Sequence, residues 1–282
     1  MAHLNIRGKF TLFADDTTIQ WHSNSSQTLM EIVSSDIVRV KEWFDSNLLT
    51  LNVDKTNIVG FKCNMSGLSI GGCLLLDLSS AKFLGLEIDK DLKFGPHIVS
   101  LSKKIASGCF AIKSVVRELG KAIAKNVYFA LIESRLRYGI AFWGMCSQGL
   151  LNVLFVLQKR ALRFLLKLGY RESCKAFFIS EKILTLTSLF ILESVSLIFK
   201  NRGRFMNQEP RYITRSNLDI PLPIPSLTLT KKSIIYESKN FFNHLPESVR
   251  EINSLRLFRK RVKGLLVGKA YYTLTEYYCD NL

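Results

Sequence analysis

Alternating polar and apolar residues near the start of the chain predict a β-hairpin. Residues 9–14 (KFTLFA) form one β-prone run, which stops at Asp15 and Asp16, and residues 17–21 (TTIQW) form a second. Two β-prone runs that flank a tight acidic turn are typical of a hairpin. We therefore expect both carboxylates at the hairpin tip.

The next sixty residues combine a helical period with short strands. From residue 26 the apolar positions fall at helical spacing, with Ser25 or Ser26 as a plausible cap: Leu29, Ile32, Val33, Ile37, Val40, Phe44 and Leu48. Short strands are predicted over residues 58–61, 67–70 and 83–88. This order of strands, helix and further strands predicts an α+β fold.

After Pro96 the periodicity is almost wholly helical to about Lys200. Helices are predicted over residues 98–116, where Gly108 carries a cost, over 123–138 and 150–168, and from Ser180 onward. The apolar run 183–199 contains Glu193 and several hydroxyl side chains, so we interpret it as a buried helix and not a membrane span.

The last eighty residues change character twice. Prolines at 210, 221, 223 and 225 predict an extended linker over residues 201–230, and a final helical part has Pro246 at a helix start and Ser254 as a cap. The pattern thus predicts three regions, 1–95, 96–200 and 201–282.

Composition and charge point to an acidic polymer as partner. The 282 residues are 48% hydrophobic and 22% charged, which excludes an intrinsically disordered chain, and the formal net charge is +16. Residues 1–100 hold 9 basic and 11 acidic residues, a net of −2, whereas residues 101–282 hold 30 and 12, a net of +18. Nucleic acid and an anionic membrane both suit the basic part.

Cysteine and histidine positions do not favour a zinc site. The six cysteines form no CxxC pair, and only four histidines could join them. The first residues lack the apolar segment of a secretory signal. We therefore expect reduced thiols and an intracellular protein, with nucleus and cytoplasm equally open.

The acidic hairpin tip is the part of the pattern that carries chemistry. Mg²⁺, or Mn²⁺ in its place, prefers oxygen ligands and is bound by one or two carboxylates together with substrate phosphates. Asp15 and Asp16 are therefore candidate metal ligands for phosphoryl transfer.

Six segments, in order, resemble reverse transcriptases of non-LTR retrotransposons, in particular the jockey-like ones. Residues 13–16 (FADD) resemble the (Tyr/Phe)-Ala-Asp-Asp box, and residues 51–61 (LNVDKTNIVGF) resemble the Leu-Asn…Lys-Thr…Phe segment. Residues 82–85 (KFLG) are similar to the primer-grip strand. Residues 92–98, residues 136–144 and residues 242–250 are similar to the run into the thumb, the region after it and the C-terminal end.

This resemblance implies an RNA-directed DNA polymerase with part of a palm, a mostly helical thumb and a basic C-terminal module. It implies Asp15 and Asp16 as catalytic metal ligands, and Lys55 as a general acid toward the leaving pyrophosphate. The implied primer grip is Phe83, Leu84 and Gly85. The implied partners are an RNA template, a DNA primer and a dNTP, with no membrane and no stable protein partner.

The chain also departs from the family. Its polymerases place a third metal-binding Asp on an earlier palm strand, surrounded by the fingers, and residues 1–11 resemble neither part. We therefore expect an N-terminally truncated polymerase with little or no activity alone.

Basic residues on the predicted helices suggest where nucleic acid binds: Lys103, Lys104, Arg160, Arg163 and Lys167. Two alternatives to a polymerase remain. One is a non-catalytic basic nucleic-acid-binding module. The other is a peripheral membrane protein held by basic amphipathic helices, which explains the charge but not the acidic hairpin.

Overall fold

The computed structural model of the chain describes residues 4–14, 16–206, 220–222 and 233–280. The fold mixes helices and strands, which confirms the predicted α+β class. Contacts divide the chain into two compact units, Met1–Pro96 and His97–Leu282. All strands described below precede residue 90, and the structure is helical from Gly95 onward wherever it shows regular elements.

The predicted hairpin forms, and a long helix follows it. Strands β1 (Lys9–Phe13) and β2 (Asp16–Gln20) pair antiparallel, with Phe13 opposite Asp16. Ala14, in the two-residue turn, has a φ of 51°. Helix α1 (Ser26–Ser46) follows and buries Val33, Ile37 and Val40 on one stripe, as its periodicity predicts.

The remainder of the first unit is made of short strands around a small core. After a 3₁₀ turn (Val53–Lys55) come β3 (Asn57–Ile58), β4 (Ser69–Ile70), β5 (Cys73–Leu74), β6 (Leu76–Asp77), β7 (Ser80–Phe83) and β8 (Leu86–Asp89). They form three two-stranded sheets: β3 with β6 in parallel, and β4 with β5 and β7 with β8 antiparallel. The buried core cluster is Val33, Ile37, Met65, Leu68, Ile70 and Leu75.

The prediction of one strand over residues 83–88 is wrong. Phe83 ends β7, Leu86 begins β8, and the two residues between them turn with φ values of 45° at Leu84 and 81° at Gly85. Positive φ at both central positions is the geometry of a tight two-residue hairpin turn. The strands predicted at 58–61 and 67–70 are also shorter than expected, because only Ile58 of the first range and Ser69 and Ile70 of the second belong to a strand.

Helices make up the second part of the chain. They are α2 (Gly95–Tyr128), α3 (Ser134–Arg137), α4 (Ile140–Trp143), α5 (Gln148–Leu166), α6 (Lys175–Ser180), α7 (Leu186–Lys200), α8 (Arg202–Met206), α9 (Ile234–Asn243), α10 (Glu247–Arg250), α11 (Leu255–Lys269) and α12 (Leu274–Cys279). Gly120 breaks α2 with a φ of 81° and a ψ of 175°. A π-helical turn, Phe129–Glu133, leads into α3.

Helix α7 is the centre of the second unit. It is buried along most of its length and packs against α3, α4, α9 and α11, which confirms the predicted buried helix. Its start differs from the prediction: Ser180 ends α6, and the Thr185 side chain caps α7 by accepting the N–H of Ser188 at 3.1 Å. Throughout the described residues, no helix is both long and apolar enough to span a bilayer.

Two further predictions concern glycine and proline. Gly108 serves close packing, because a Cβ there would lie 2.8 Å from Ile132 Cδ1 in the π-helical turn. The predicted extended linker falls mostly outside the described residues, at 207–219 and 223–230, but residues 202–206 within it are helical. Pro246 lies at the start of α10, as predicted, and Ser254 occupies the predicted N-cap position of α11, where its side chain makes no capping hydrogen bond.

Candidate functional site

The acidic tip of the first hairpin is exposed. Asp16 begins β2 directly after the turn, and its side chain faces solvent. Asp15 lies outside the described residues. Phe13 and Asp16 are the last cross-strand pair, and Ala14 follows β1 with a positive φ, so the described part of the turn is tight.

The residues around this tip fit a metal site only in part. A carboxylate at an exposed hairpin tip is the hard oxygen ligand that Mg²⁺ and Mn²⁺ prefer. Within the described ranges, however, no group of three or more His, Cys, Asp or Glu side chains could hold a metal ion. Asp16 is therefore chemically suitable as one ligand, and no complete metal site stands among these residues.

Lys55 lies at the end of a compact turn built by its own motif. Its backbone N–H donates to Asn52 Oδ1 at 3.2 Å, and the Thr56 hydroxyl donates to the Asn52 carbonyl at 2.8 Å. These contacts explain the Asn and Thr of the Leu-Asn…Lys-Thr pattern as the residues that shape the turn. The Lys55 side chain is exposed.

The predicted primer-grip residues occupy a hairpin tip and not a strand. Phe83 is the last residue of β7 and pairs with Leu86, while Leu84 and Gly85 form the turn. Gly85 is exposed, and a glycine at an exposed turn leaves the backbone open to close approach by a ligand. Asp16, Lys55 and Gly85 thus lie on three separate elements of the first unit.

A carboxylate that sequence reasoning missed lies beneath the first hairpin. Asp36 Oδ2 accepts hydrogen bonds from the N–H groups of Arg7 (2.9 Å) and Gly8 (3.1 Å) and from Trp21 Nε1 (2.8 Å). Asp36 is 2% exposed. It falls between Val33 and Val40 on the apolar stripe of α1, and a charged residue on such a stripe was the signal available in the sequence.

Helices α2 and α5 bring most of the predicted basic residues onto neighbouring elements. Lys103 and Lys104 are exposed on α2, and Arg160 is exposed on α5. Lys167 caps the end of α5 in an exposed left-handed conformation, with a φ of 56°. Arg163 is half-buried, and its Nη2 donates to the Glu172 carbonyl at 3.0 Å, so it has a structural contact.

Contacts between the two helices show that their basic residues meet. Lys113 Nζ on α2 lies 5.8 Å from the centre of the Phe164 ring on α5, and Arg160 Cζ lies 5.4 Å from the same centre. Cys109 Sγ of α2 is 3.5 Å from the Leu157 carbonyl oxygen of α5. Two cations therefore share one aromatic ring at the junction of α2 and α5.

Three residues that extend this surface were not predicted. Helical spacing places Phe110, Lys113 and Arg117 on the exposed face of α2 that begins at Lys103. Phe110 is 72% exposed. We refer to these side chains together as the α2–α5 basic surface: Lys103, Phe110, Lys113, Arg117, Arg160 and Lys167. An exposed aromatic ring between cations suits nucleic acid, because bases stack and phosphates pair.

The chain resembles mobile-element polymerases over about half its length. It is 24% identical over 159 residues to a probable RNA-directed DNA polymerase from transposon BS of Drosophila melanogaster, a match that covers 54% of this chain and 18% of that protein. It is 23% identical over 157 residues to the RNA-directed DNA polymerase from mobile element jockey of the same species, covering 54% and 17%.

A third relative is the retrovirus-related Pol polyprotein from the type-1 retrotransposable element R1 of Bradysia coprophila. It is 27% identical over 139 residues, covering 46% of this chain and 14% of the relative. No family model and no solved structure matches the chain.

Together these matches define the class of protein to which the chain is related, the polymerases of non-LTR retrotransposons. The relatives within that class are jockey-like and R1 elements, so the resemblance indicated by the motifs is confirmed. The matched part spans less than a fifth of each of these three relatives.

Proposed function

We propose that the chain is part of an RNA-directed DNA polymerase of a non-LTR retrotransposon and carries two of its metal-binding carboxylates. The observation that supports this most strongly is Asp16, exposed at the tip of a tight hairpin, in a FADD box of a chain whose relatives include such polymerases. In the proposed reaction the 3′-hydroxyl of a DNA primer attacks the α-phosphate of a dNTP opposite an RNA template. Mg²⁺ or Mn²⁺ held by Asp15 and Asp16 would supply stabilisation of the transferred charge.

The other predicted residues receive roles in the same proposal. Lys55 would donate a proton to the leaving pyrophosphate, and its exposed position on a turn shaped by Asn52 and Thr56 is compatible with this. The tip at Phe83, Leu84 and Gly85 would contact the primer backbone through its exposed turn. We further propose that this chain alone has little or no polymerase activity.

Primer extension tests the polymerase proposal. The chain is assayed alone and after fusion to the polymerase segment that precedes the matched region in the transposon BS relative. We expect extension only from the fusion, and we expect Asp16→Asn to abolish it because a metal ligand is lost. The control is Glu31→Gln, an exposed carboxylate on α1, which should leave extension unchanged. Full activity of the Asp16→Asn fusion would show that the metal assignment is wrong.

A second candidate function is nucleic-acid binding without catalysis, and the α2–α5 basic surface favours it. Lys113 and Arg160 lie on neighbouring helices over the same half-buried Phe164 ring, and the exposed Phe110 precedes Lys113 by one turn of α2. Such a surface would bind phosphates without strong sequence preference, and the binding should weaken steeply with salt. It does not depend on Asp16.

Filter binding of the full chain to single-stranded nucleic acid tests this function. Removing three cations from the surface (Lys113→Ala, Arg160→Ala and Lys167→Ala together) should make the negative slope of log K against log salt shallower by about 2. A matched variant removes three exposed cations from α11 (Arg256→Ala, Lys260→Ala and Arg261→Ala), so both carry the same net charge. Equal loss in both variants would assign the binding to net charge and not to this surface. Sedimentation with anionic liposomes would expose the membrane alternative.

A further inference from the structure

We propose that Asp36 is a positioning residue that fixes the base of the β1–β2 hairpin and thereby the location of Asp16 at its tip. This inference deepens the proposed polymerase function and rests on it for its catalytic meaning. Its structural content stands on the contacts of one carboxylate oxygen. Three N–H donors converge on Asp36 Oδ2 at 2.8–3.1 Å.

The three donors come from both ends of the hairpin. Arg7 and Gly8 immediately precede β1, and Trp21 immediately follows β2. Asp36 lies in the middle of α1, fifteen residues beyond Trp21, so one side chain ties both strands to the helix that follows them. We call Gly8, Trp21 and Asp36 the hairpin clamp.

Burial makes these contacts obligatory. A carboxylate that is 2% exposed loses most of its hydration, and it is tolerated only when hydrogen bonds replace the water. Hydrogen bonds to an ionised acceptor are roughly twice as strong as neutral ones. The clamp therefore holds the hairpin base by charge-assisted bonds, in a part of α1 whose neighbours Val33, Ile37 and Val40 are apolar.

Gly8 makes the close approach possible. A Cβ at this position would lie 2.5 Å from Trp21 Nε1 and 2.5 Å from Ile19 Cγ2, which is far inside contact distance. Only a residue without a side chain lets the backbone N–H reach Asp36 while the indole ring lies against it. The glycine and the tryptophan that flank the hairpin thus have a joint role that neither shows alone.

The length of the hairpin explains why the geometry of its base determines the position of its tip. Each strand has five residues and rises about 3.4 Å per residue, so the tip lies about 17 Å from the clamp. Over that length, a tilt of about 10° at the base would move Asp16 by about 3 Å. A displacement of even about 1 Å can cost about 100-fold in a reaction that depends on alignment.

The test measures the hairpin itself in the full chain. Asp36→Asn keeps the size of the side chain and removes its charge. We expect amide hydrogen exchange of residues 9–20 to rise about tenfold or more, while exchange in residues 97–206 stays unchanged. Trp21→Phe removes one donor and keeps an aromatic ring, and it should produce a smaller rise in the same residues. Glu42→Gln, at an exposed carboxylate further along α1, is the matched control.

A distance measurement separates positioning from general stabilisation. Spin labels are placed at the exposed positions Thr17 and Ser34 by a non-canonical amino acid, which leaves the six cysteines in place. We expect a narrow distance distribution in the parent chain and a broad one with Asp36→Asn. A lower overall stability with an unchanged distribution would overturn the proposal, as would unchanged exchange of the hairpin.

The two proposals can fail independently. Neither the exchange nor the distance measurement uses polymerase activity. If the Asp16→Asn fusion remained active, the metal assignment would fall while the clamp measurements stood. If the hairpin were insensitive to Asp36→Asn, the clamp would fall while the primer-extension result stood.

Discussion

The two units of the chain are held together in different ways. In the second unit the core is large and aromatic, and the largest fully buried side chains of the described residues all belong to it, including Trp143, Tyr128 and Tyr277. In the first unit the main core cluster consists of aliphatic side chains and one methionine around α1 and the short strands, and Phe94 is a buried aromatic residue outside it. Burial of large side chains stabilises the second unit, whereas the first unit has few large side chains to bury.

Hydrogen bonds to carboxylates provide part of the stabilisation that the small core of the first unit does not provide. Asp36, Asp77 and Asp89 each accept hydrogen bonds from two or more backbone N–H groups. These bonds hold the hairpin base, the loop before β4 and the turn after β8. The second unit, by contrast, contains a fully buried network of neutral groups: Gln158 donates to the Tyr128 hydroxyl and the Leu184 carbonyl and accepts the Leu186 N–H. We therefore expect these carboxylates to matter most in the first unit, and the packing of large side chains to matter most in the second.

We expect the largest loss of stability when a large buried side chain of the second unit is truncated. Trp143 is fully buried, and its Nε1 donates to the Tyr138 carbonyl at 2.9 Å. Trp143→Ala should lower the free energy of unfolding of this unit by about 3–5 kcal/mol, because a cavity replaces the ring. Urea denaturation followed by circular dichroism measures the loss.

An exposed aromatic residue of the same unit provides the control. Tyr170 is 91% exposed, so Tyr170→Ala should change the stability by less than about 0.5 kcal/mol. A small effect of Trp143→Ala, comparable to that of the control, would contradict the view that volume stabilises the second unit.

Removing charge in the first unit should have a smaller effect that depends on pH. Burial by itself would raise the pKa of Asp77, but hydrogen bonds from Lys90 and the N–H groups of Met65 and Gly60 outweigh it and hold the pKa below its usual 3.8. A lowered pKa means that the ionised form stabilises the fold. This contribution is present above pH 3.8 and is lost as the pH falls through the lowered pKa.

Asp77→Asn should therefore destabilise the first unit at pH 7 by about 1–2 kcal/mol and make it less sensitive to acid. Hydrogen exchange of residues 57–90, measured at pH 7 and near pH 3, reports both effects. Asp54→Asn, which removes an exposed carboxylate of the same unit, is the control. An unchanged acid response in Asp77→Asn would show that another group governs it.

The second unit contains a carboxylate with the opposite behaviour. Burial raises the pKa of Glu133, although Arg137 and Lys263 oppose the shift. As the pH falls through the raised pKa, Glu133 is protonated and the free-energy cost of burying its charge disappears. Acid should therefore stabilise the second unit at Glu133, whereas it destabilises the first unit at Asp77. Glu133→Gln should remove that relief, and hydrogen exchange of residues 128–137 measures it.

Local pattern was enough to predict elements, but not the contacts that join distant residues. The hairpin, helix α1, the buried α7 and the caps at Pro246 and Ser254 follow from periodicity and capping residues within a few positions. Apolar residues on either side of Leu84 and Gly85 concealed a turn, since Gly85 was the only local sign of it. The assignment of palm and thumb stays a prediction.

The candidate site shows the same division. Asp16, at an exposed tip, lies where the motif placed it along the chain, but its support by Asp36 depends on partners 28 and 15 residues away. Lys113 was not predicted because its role depends on a contact with Phe164, which lies on another helix. Contacts of this kind leave no period in the sequence, and only the fold brings their partners together.

Glycine substitutions compare a crowded position of the first unit with an open one of the second. Gly8→Ala would place a methyl group 2.5 Å from Trp21 and should destabilise the first unit by about 1–2 kcal/mol through overpacking. Gly264→Ala, in the middle of α11 with open space around it, should stabilise the second unit by up to about 1 kcal/mol. Thermal denaturation of both variants measures the difference in sign. Destabilisation by both would contradict the comparison.

The smallest effect is expected where two lysines share one carboxylate. Glu181 pairs with Lys121 at 2.6 Å and with Lys125 at 3.0 Å, and the hydrogen bond from Lys121 is the largest cause of its lowered pKa. Lys121→Ala leaves Lys125 in place, so the second unit should lose less than about 0.5 kcal/mol. Lys90→Ala in the first unit removes the single lysine that pairs with Asp77 among the described residues and should cost about 1 kcal/mol. Loss of both lysines, in Lys121→Ala with Lys125→Ala, should exceed the sum of the single losses, because each single variant retains one partner for Glu181. Additive losses measured by urea denaturation would show that the two lysines act independently.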